Sequence, residues 1–477
     1  MTESIAGDQS LATAGTFNDL GVDQCLVTAL HEAGIDHPFP IQEMAIPIAL
    51  SGADLIGQAR TGTGKTLAFG LPLLQHVLLK GDDDFEDLPQ PGKPQALVLT
   101  PTRELASQIT VELTAANRHR GARLLTVYGG VGYDDQVDSL KDGIDIVVGT
   151  PGRILDLADS RRLDLSQVVH VVLDEADEML DMGFLPDVER IVAKTSSDRQ
   201  GMLFSATMPG PIVALARANM HQPVHVRAEG HDATLTVPET TQFVYQAHDL
   251  DKPEILGKLL QAPTVTKIMV FTRTKRSAQR LADELVDRGF NAVTIHGDLT
   301  QQARERALRR FRKNDANVLV ATDVAARGID VAGVSHVLNY ECPDDEKTYV
   351  HRIGRTGRAG ASGVAVTFVD WADVTRWKVI NRALDLPFAE IEESYSTTPQ
   401  LLADLGIPAG IKGRLAEARP PVARESGHSK GHRDQGGRRE RNRRQQDDAV
   451  DAPREKSERP KRERRRTRNG APVEGKN

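Results

Sequence analysis

The sequence has little of several residue types, and each shortage excludes a class of protein. Two cysteines among 477 residues are too few for a disulfide framework or a cysteine zinc site. No run of eighteen apolar residues occurs, so no segment is expected to span a bilayer. The first fifteen residues lack the basic start and apolar core of a secretory signal. With aromatics at 4% but apolar residues at 39%, the chain is expected to form two or three folded domains in the cytoplasm.

Charge is divided unevenly along the chain. The segment 411–477 contains 21 Lys and Arg against 11 Asp and Glu, whereas the preceding residues contain 39 against 56. An acidic body with a basic tail is typical of a protein that tethers a polyanion. From about Pro420 the sequence has few large apolar residues to bury, so we expect this tail to be disordered.

Short β-branched runs alternate with helical patterns, which predicts an α/β fold with parallel sheets and crossover helices. The predicted strands are Ala96–Thr100, Ile144–Thr150, Val168–Leu173 and Met202–Ser205, then Ile268–Thr272, Ala292–His296, Val318–Thr322, His336–Asn339 and Val364–Val369. A polar stretch at about 230–238 separates the two series and is interpreted as a linker. The acidic, proline-rich segment Gly81–Pro94 is expected to loop out of the first domain.

A glycine-rich segment between a short apolar run and a helical pattern indicates a phosphate-binding loop for ATP. Gly62 and Gly64 allow backbone N–H groups to turn toward phosphates at the start of the following helix. Lys65 would reach the β- and γ-phosphates, and the Thr66 hydroxyl would ligate Mg²⁺. The residues predicted to contact the nucleotide here are Ala59, which replaces the usual first glycine, Arg60, Thr61, Gly62, Thr63, Gly64, Lys65 and Thr66.

A second acidic motif, Asp174-Glu-Ala-Asp177, follows the apolar run Val168–Leu173. A carboxylate at a strand end beside a phosphate loop is the expected holder of Mg²⁺, which assigns that role to Asp174. Glu175 would then orient and deprotonate the attacking water. Together the two motifs predict a nucleotide-hydrolysing site.

These motifs, with others in the same order, resemble the bacterial DEAD-box ATP-dependent RNA helicases from Phe17 to Asp370. The resemblance implies two tandem RecA-like parallel-sheet domains and a disordered basic C-terminal tail. The implied organisation is a flexible N-terminus (1–16), an ATP-binding domain (17–229), a linker (230–240), a helicase C-terminal domain (241–385), a short extension (386–419) and the tail (420–477). The extension is obscure from sequence and is interpreted as helical and packed on the second domain.

The resemblance also assigns roles around the nucleotide. Gln42 is implied to read the adenine edge, because an amide offers both a donor and an acceptor, and Phe17 to cover the ring. Phe39 stands where the family often has threonine, with little expected effect on nucleotide choice. In the segment His351–Arg358, Arg355 and Arg358 are implied to be arginine fingers for the γ-phosphate. Asp330 is implied to contact the nucleotide.

Further motifs resemble the RNA-contacting and coupling elements of the family. Arginine side chains supply forks for phosphate oxygens, and glycines and threonines permit close backbone approach. The implied RNA-contacting residues are Pro101, Thr102, Arg103, Gly130, Thr150, Arg153, Gly297 and Thr322, and the implied coupling residues are Asp177, Ser205 and Thr207. Coupling is expected to use hydrogen bonds between Ser205–Thr207 and the Asp177 region.

The resulting hypothesis is an RNA-stimulated ATPase that opens short RNA duplexes or remodels RNA–protein complexes. Three alternatives are an ATP-driven DNA translocase, a non-hydrolysing RNA clamp and a metal-dependent nuclease. Ribosome assembly, messenger decay and cold adaptation all remain open as pathways. The basic tail is expected to anchor RNA, with a merely solubilising tail as the rival interpretation.

Overall fold

The computed structural model describes residues 15–59, 62–228, 240–329, 331–357 and 362–415. We call the described residues up to 228 lobe 1 and those from 240 to 415 lobe 2. Most of the predicted N-terminal segment and linker and all of the predicted tail lie outside these ranges, so the exact domain boundaries stay predictions.

Lobe 1 is built on a parallel sheet that has seven strands in its described residues. The strands are β1 (Leu55–Gln58), β2 (Ala96–Leu99), β3 (Leu124–Val127), β4 (Ile146–Gly149), β5 (His170–Leu173), β6 (Gln200–Ser205) and β7 (Val224–Arg227). Their spatial order is β3-β4-β2-β5-β6-β1-β7. The helices are α1 (Gln24–Glu32), α2 (Pro40–Leu50), α3 (Lys65–His76), α4 (Arg103–Ala116), α5 (Asp134–Asp142), α6 (Pro151–Asp159), α7 (Ala176–Asp181), α8 (Leu185–Val192) and α9 (Gly210–Asn219).

Lobe 2 repeats this architecture with six described parallel strands. They are β8 (Thr240–Gln246), β9 (Ile268–Thr272), β10 (Ala292–Ile295), β11 (Val318–Thr322), β12 (His336–Asn339) and β13 (Gly363–Val369), in the order β10-β11-β9-β12-β13-β8. The helices are α10 (Lys252–Leu259), α11 (Lys275–Asp287), α12 (Gln301–Arg312), α13 (Asp323–Ala326), α14 (Glu346–Ile353), α15 (Val374–Ala383) and α16 (Pro399–Asp404).

The central strands carry the cores of both lobes. In lobe 1, Leu97 of β2 is paired in register with Val147 of β4 and Val171 of β5. In lobe 2, Val270 of β9 is paired with Val320 and Leu338. All these side chains are buried, as expected for parallel strands covered on both faces by helices. The predicted α/β class and the two parallel sheets are therefore confirmed.

Two segments differ from the sequence prediction or add to it. Gly81–Pro94 does not loop out freely, because it contains a 3₁₀ turn at Phe85–Asp87 and buries the Phe85 ring. At the start of this segment, Asp82 forms an ion pair with Arg120 at 2.6 Å, which anchors it to the end of α4. The interpretation that residues 386–415 pack on the second domain holds, since Leu401 lies in the lobe 2 core.

Among the helices of the described residues, none has the length and apolar character needed to cross a membrane.

Candidate nucleotide and RNA site

The predicted phosphate loop connects β1 to α3. Gly62 and Gly64 have φ values of 86° and 84°, a left-handed conformation that glycine adopts far more readily than other residues. A Cβ at Gly64 would also lie 2.5 Å from Nε2 of Gln42, so this position requires glycine for steric reasons too. The sequence folds locally as the glycine pattern predicts.

The lysine of the loop is buried at its base. Lys65 is 7% exposed, and its Nζ donates a hydrogen bond to the Ala59 carbonyl at 3.0 Å. The Ala59 N–H in turn donates to the carbonyl of Ser205 at 3.1 Å, which ties the loop to the end of β6. Thr63 and Thr66 are half-buried beside it. Arg60 and Thr61 lie outside the described residues.

The residues predicted to recognise adenine lie next to this loop. Gln42 in α2 donates from Nε2 to the Gly64 carbonyl at 2.8 Å and accepts from the Phe39 N–H at 2.9 Å. These bonds leave one N–H and one lone pair of the amide for a base. Phe17 is only 1% exposed and packs in the lobe 1 core. The adenine roles of Gln42 and Phe17 stay predictions.

Asp174 and Glu175 follow the carboxyl end of β5, two strands from the phosphate loop. Both are buried, with exposures of 3% and 6%. Glu175 has φ +52°, a left-handed conformation that costs a non-glycine residue on the order of 1 kcal/mol and is often found at functional sites. Its N–H donates to Oδ1 of Asp174 at 3.0 Å, which fixes the turn into α7.

The electrostatics of Asp174 fit a bound cation. Burial raises the pKa of Asp174 to about 7, while the positive charge of Lys65 opposes that rise. A buried carboxyl group with this pKa gains from an adjacent dication, which favours its ionised form. The described residues contain no cluster of three His, Cys, Asp or Glu side chains that could hold a metal. Magnesium does not need one, since it commonly takes one or two protein carboxylates together with phosphates and waters.

Asp177 and the Ser205–Thr207 segment form the hydrogen-bond network that the sequence predicts. Oδ2 of Asp177 accepts from the Thr207 N–H at 2.8 Å and from the Thr207 hydroxyl at 2.9 Å. The Asp177 N–H donates to Oγ of Ser205 at 3.3 Å. The contact is therefore present, whereas its role in coupling stays a prediction.

In lobe 1, the residues predicted to bind the nucleotide and those predicted to bind RNA follow strands in different halves of the sheet. Ala59, Asp174 and the Ser205 segment lie at the carboxyl ends of β1, β5 and β6, which are neighbours. The predicted RNA residues lie after the carboxyl ends of β2, β3 and β4, which form the other end of the sheet; these residues are Pro101, Thr102, Arg103, Gly130 and Thr150. Ligands commonly bind at this edge of a parallel sheet.

Two arginines of the predicted RNA set lie close to glycine or backbone groups. A Cβ at Gly130 would lie 2.3 Å from an Arg103 guanidinium nitrogen, so the glycine leaves room for this side chain. Arg153 lies over the Tyr133 ring at 4.2 Å and donates to the Val131 carbonyl at 3.2 Å. Burial lowers the pKa of Arg153, since no carboxylate compensates for its lost hydration in the described structure. A phosphate would supply that missing charge.

Lobe 2 presents its predicted residues from the corresponding edge of its own sheet. Gly297 follows β10 and is exposed, while Thr322 ends the neighbouring strand β11 and is buried. Arg355 is 8% exposed; its Nε donates to the His351 carbonyl at 3.3 Å, and its Nη1 donates to the Ile329 carbonyl at 2.8 Å. Asp330 and Arg358 lie outside the described residues.

The two lobes meet across a cleft that contains these edges. Arg304 of lobe 2 lies 2.9 Å from the buried Glu104 carboxylate of lobe 1. Beside it, Arg103 donates to Oε1 of Gln301 at 3.2 Å. Gly328 packs so closely that a Cβ there would lie 2.0 Å from Oγ1 of Thr102. The Thr102 hydroxyl also accepts from the Leu105 N–H at 3.2 Å and caps α4, so this residue supports the fold and the interface together.

A second group of contacts joins α7 to the arginine-rich segment of lobe 2. Glu178 forms ion pairs with Arg327 at 2.6 Å and with His351 at 2.9 Å. The segment of lobe 2 that contains His351 and Arg355 is thus held against the Asp174–Asp177 motif of lobe 1.

Comparison with known proteins agrees with this geometry. The DEAD/DEAH box helicase family matches residues 39–215, and the helicase conserved C-terminal domain matches residues 251–360. The ATP-dependent RNA helicase CshA of Listeria monocytogenes is 47% identical over 74% of this chain and 66% of its own length. The DEAD-box ATP-dependent RNA helicase CshA of Bacillus subtilis is 45% identical over 74% of this chain and 69% of its own length. The chain belongs to the DEAD-box ATP-dependent RNA helicases. It spans about two thirds of the length of these relatives.

Solved structures of DEAD-box proteins share the arrangement. S. cerevisiae Dbp5 bound to RNA and ADP BeF3 matches with a TM-score of 0.70 and 29% identity, over 82% of this chain and all of the Dbp5 chain. Mss116p bound to ssRNA and AMP-PNP matches with a TM-score of 0.69 and 25% identity, over 84% of this chain and 83% of that chain. The predicted family and the tandem RecA-like fold are confirmed, with ATP as the nucleotide and RNA as the partner.

Several functional contacts of this DEAD-box protein have no signal in the sequence. Arg352 belongs to the segment His351–Arg358, where it is 1% exposed and forms two hydrogen bonds with Asp323 at 2.6 and 2.7 Å. Glu178 reads as an ordinary helical residue, and only tertiary structure reveals its partners.

Proposed function

We propose that this DEAD-box protein couples ATP hydrolysis to the local opening of short RNA duplexes or to the remodelling of RNA–protein complexes. The observation that supports this most is the docking of the Arg355 segment against the Asp174–Asp177 motif. Lobe 1 has the phosphate loop and the carboxylates, and lobe 2 has the arginine. Neither lobe alone contains the full set of groups for phosphoryl transfer.

The chemistry follows from where the charges lie. Lys65 neutralises phosphate charge at the loop, and Glu175 orients the attacking water and accepts its proton. Arg355 stabilises the negative charge that develops on the transferred phosphoryl group. Thr66 and Asp174 would hold Mg²⁺, which supplies further positive charge at the β- and γ-phosphates when bound. The groups act together only when the lobes are closed.

RNA binding is proposed to favour that closure. The RNA residues of lobe 1 and the pair Gly297 and Thr322 of lobe 2 lie at sheet edges facing one cleft, so a single strand lying across both would hold them together. Phosphate contacts predict sequence-independent binding, and 2′-hydroxyl contacts would select RNA over DNA. By linkage, RNA that stabilises closure improves the ATP site, and ATP tightens the grip on RNA.

The cellular setting belongs to the same proposal. A cytoplasmic enzyme with a basic tail as a salt-sensitive RNA anchor accounts for the charge division along the chain. Ribosome-assembly or RNA-decay complexes are the proposed surroundings.

The test of the reaction is the Glu175→Gln variant. Loss of the general base is expected to lower RNA-stimulated ATP turnover by about 10²–10⁴-fold, while RNA affinity in the presence of ATP is kept. Phosphate release with single-stranded RNA, and with duplex DNA in its place, measures both the reaction and its polymer. Turnover at the wild-type rate would remove Glu175 from the mechanism, and equal stimulation by duplex DNA would favour a DNA translocase.

The test of the anchor is removal of residues 420–477. RNA affinity at low salt is expected to fall and its dependence on salt to flatten, because fewer phosphates are neutralised. ATP turnover without RNA is expected to stay unchanged and serves as the control. Equal RNA affinity of the two forms at low salt would leave the tail a solubilising role.

A further inference from the structure

Glu178 lies one residue beyond the Asp174–Asp177 motif, in the first turns of α7. Its carboxylate is 6% exposed, and both of its ion pairs in the described part of the chain cross to lobe 2. A buried carboxylate whose cations come from another lobe loses both of them when the lobes separate. Its ion pairs therefore exist only in the closed arrangement.

The two partners approach different oxygens of this carboxylate. Nε of Arg327 is 2.6 Å from Oε2, and Nδ1 of His351 is 2.9 Å from Oε1. Arg327 also extends to Asp181, one helical turn further along α7, at 3.7 Å. The contact thus has one permanent cation and one titratable cation.

Both partners also lead to Arg355. The carbonyl of His351 itself accepts from Nε of Arg355 at 3.3 Å. The carbonyl of Ile329, two residues beyond Arg327, accepts from the Arg355 guanidinium at 2.8 Å. The Glu178 carboxylate of lobe 1 therefore fixes two segments of lobe 2, and each of these segments supplies a backbone carbonyl that holds the arginine finger.

We propose that Glu178 is a positioning residue that seats Arg355 by binding Arg327 and His351 across the cleft, and that the His351 half of this contact makes closure depend on pH. The inference rests on the proposed function, because it gives Arg355 the role of the arginine finger.

The electrostatics of the pair support the pH dependence. Burial alone would lower the pKa of His351, but the hydrogen bond and charge of Glu178 outweigh it and raise that pKa. Burial would raise the pKa of Glu178, and His351, Arg327 and Arg355 together lower it. The charged groups around the His351–Glu178 pair are Asp177 and Asp181 from lobe 1, and Asp323, Arg327, Asp345, Glu346, Lys347, Arg352 and Arg355 from lobe 2.

The sign of the effect follows from linkage. In the open arrangement His351 has an ordinary pKa of about 6.5, and in the closed arrangement its pKa is higher. The closed state therefore binds a proton more tightly than the open state. The stabilisation of closure is fully present below about pH 6.5 and is lost as the pH rises through the raised pKa.

The test compares Glu178→Gln with Glu189→Gln in the full-length protein. Glu189 is an exposed residue of the neighbouring helix α8, so its variant removes the same charge without touching the cleft. Affinity for a labelled single-stranded RNA is measured with magnesium and a non-hydrolysable ATP analogue, between about pH 6 and about pH 9. Glu178→Gln is expected to weaken this affinity on the order of tenfold at the acidic end. The ratio of wild-type to variant affinity should fall as the pH rises, without reaching one, because Arg327 keeps its charge.

His351→Gln repeats the test from lobe 2. At every pH, the RNA affinity of His351→Gln is expected to equal the weaker affinity that the wild type has at high pH. Magnesium–ADP affinity and the melting temperature of each variant are measured alongside, and intact values show that lobe 1 is still folded. A wild-type protein with RNA-stimulated ATPase activity and a Glu178→Gln variant that matches Glu189→Gln at all pH values would overturn this inference and leave the proposed function standing. Absence of RNA stimulation in the wild type would instead reject the proposed function.

Discussion

The two lobes have the same sheet architecture but opposite charge where they face each other. Lobe 1 buries the carboxylates of Glu104, Asp174, Glu175 and Glu178 at or near the carboxyl edge of its sheet, and lobe 2 brings Arg304, Arg327, His351 and Arg355 to the same cleft. A buried carboxylate without a cation is costly, so in the closed arrangement each lobe supplies the charges that the other needs. One fold thus supplies the buried carboxylates in lobe 1 and the cations in lobe 2.

The arginines within lobe 2 differ from one another in whether a carboxylate of the same lobe neutralises their charge. Arg352 is neutralised by Asp323 inside the lobe, and Arg273 is paired with Asp373. The hydrogen bonds of Arg355 within lobe 2 go to two backbone carbonyls, which orient the side chain without cancelling its charge. The difference supports the proposal that Arg355 acts on a phosphate, because its own lobe orients this arginine by neutral groups.

The largest expected effect comes from removing that charge. Arg355→Ala is expected to lower RNA-stimulated ATP turnover by about 10³-fold or more, the range for an arginine finger. Arg309→Ala, which removes an exposed arginine from the last turn of α12, is the matched control and should stay near the wild-type rate. A steady-state phosphate-release assay with saturating RNA makes the measurement. Near-normal turnover in Arg355→Ala would mean that the charge contrast between the lobes is not catalytic.

A smaller effect is expected from preventing close approach of the lobes. An alanine Cβ at Gly328 would lie 2.0 Å from Oγ1 of Thr102, so Gly328→Ala should weaken closure by about 10–100-fold, as overpacking costs of 1–3 kcal/mol imply. Gly333→Ala is a matched control because Gly333 also has a positive φ, +73°, but has no atom within 4 Å of the added Cβ. The RNA concentration at half-maximal ATPase activity reports the difference. An equal shift in both variants would attribute the effect to backbone strain alone.

The smallest effect concerns stability, and it sharpens the comparison between the two sheets. Each lobe begins a central strand with a histidine, the half-buried His170 in β5 and the buried His336 in β12, and loss of hydration lowers the pKa of each to about 4. Between about pH 6.5 and pH 4 the unfolded chain binds the proton more tightly, so lobe 2 should lose about 1–2 kcal/mol through His336 on going to about pH 5.

Urea unfolding at about pH 7 and pH 5 measures this loss. The two tryptophans of the chain, Trp371 and Trp377, both lie in lobe 2, so their fluorescence reports that lobe alone. His336→Gln should reduce the difference between the two pH values, whereas the exposed His225→Gln in lobe 1 should leave it unchanged. An undiminished difference in His336→Gln would assign the acid sensitivity to other groups.

The sequence predicts the local chemistry of this protein better than its contacts. The phosphate loop and the Asp174–Asp177 motif are recognisable because each depends on a short stretch of backbone. Ile268–Thr272 and Val318–Thr322 match the observed strands because central parallel strands are continuous apolar runs.

The missed strands share a physical cause. β3, β7 and β8 lie at the edges of their sheets, where partial exposure lets polar residues interrupt the apolar run. The missed cross-cleft residues, such as Glu178 and Arg327, have a different cause. Their partners are more than a hundred residues away, and nothing in the local pattern distinguishes them from solvated charges.

The separation of two sets of loops on the lobe 1 sheet has a consequence for the evolution of such a protein. The loops predicted to bind the nucleotide follow the neighbouring strands β1, β5 and β6, and the loops predicted to contact RNA follow β2, β3 and β4. Insertions or substitutions after β3 and β4 would therefore change the predicted RNA contacts without displacing the loop after β1. Changes in the predicted RNA-contacting loops would leave the predicted nucleotide site intact, and a protein engineer can use the same separation.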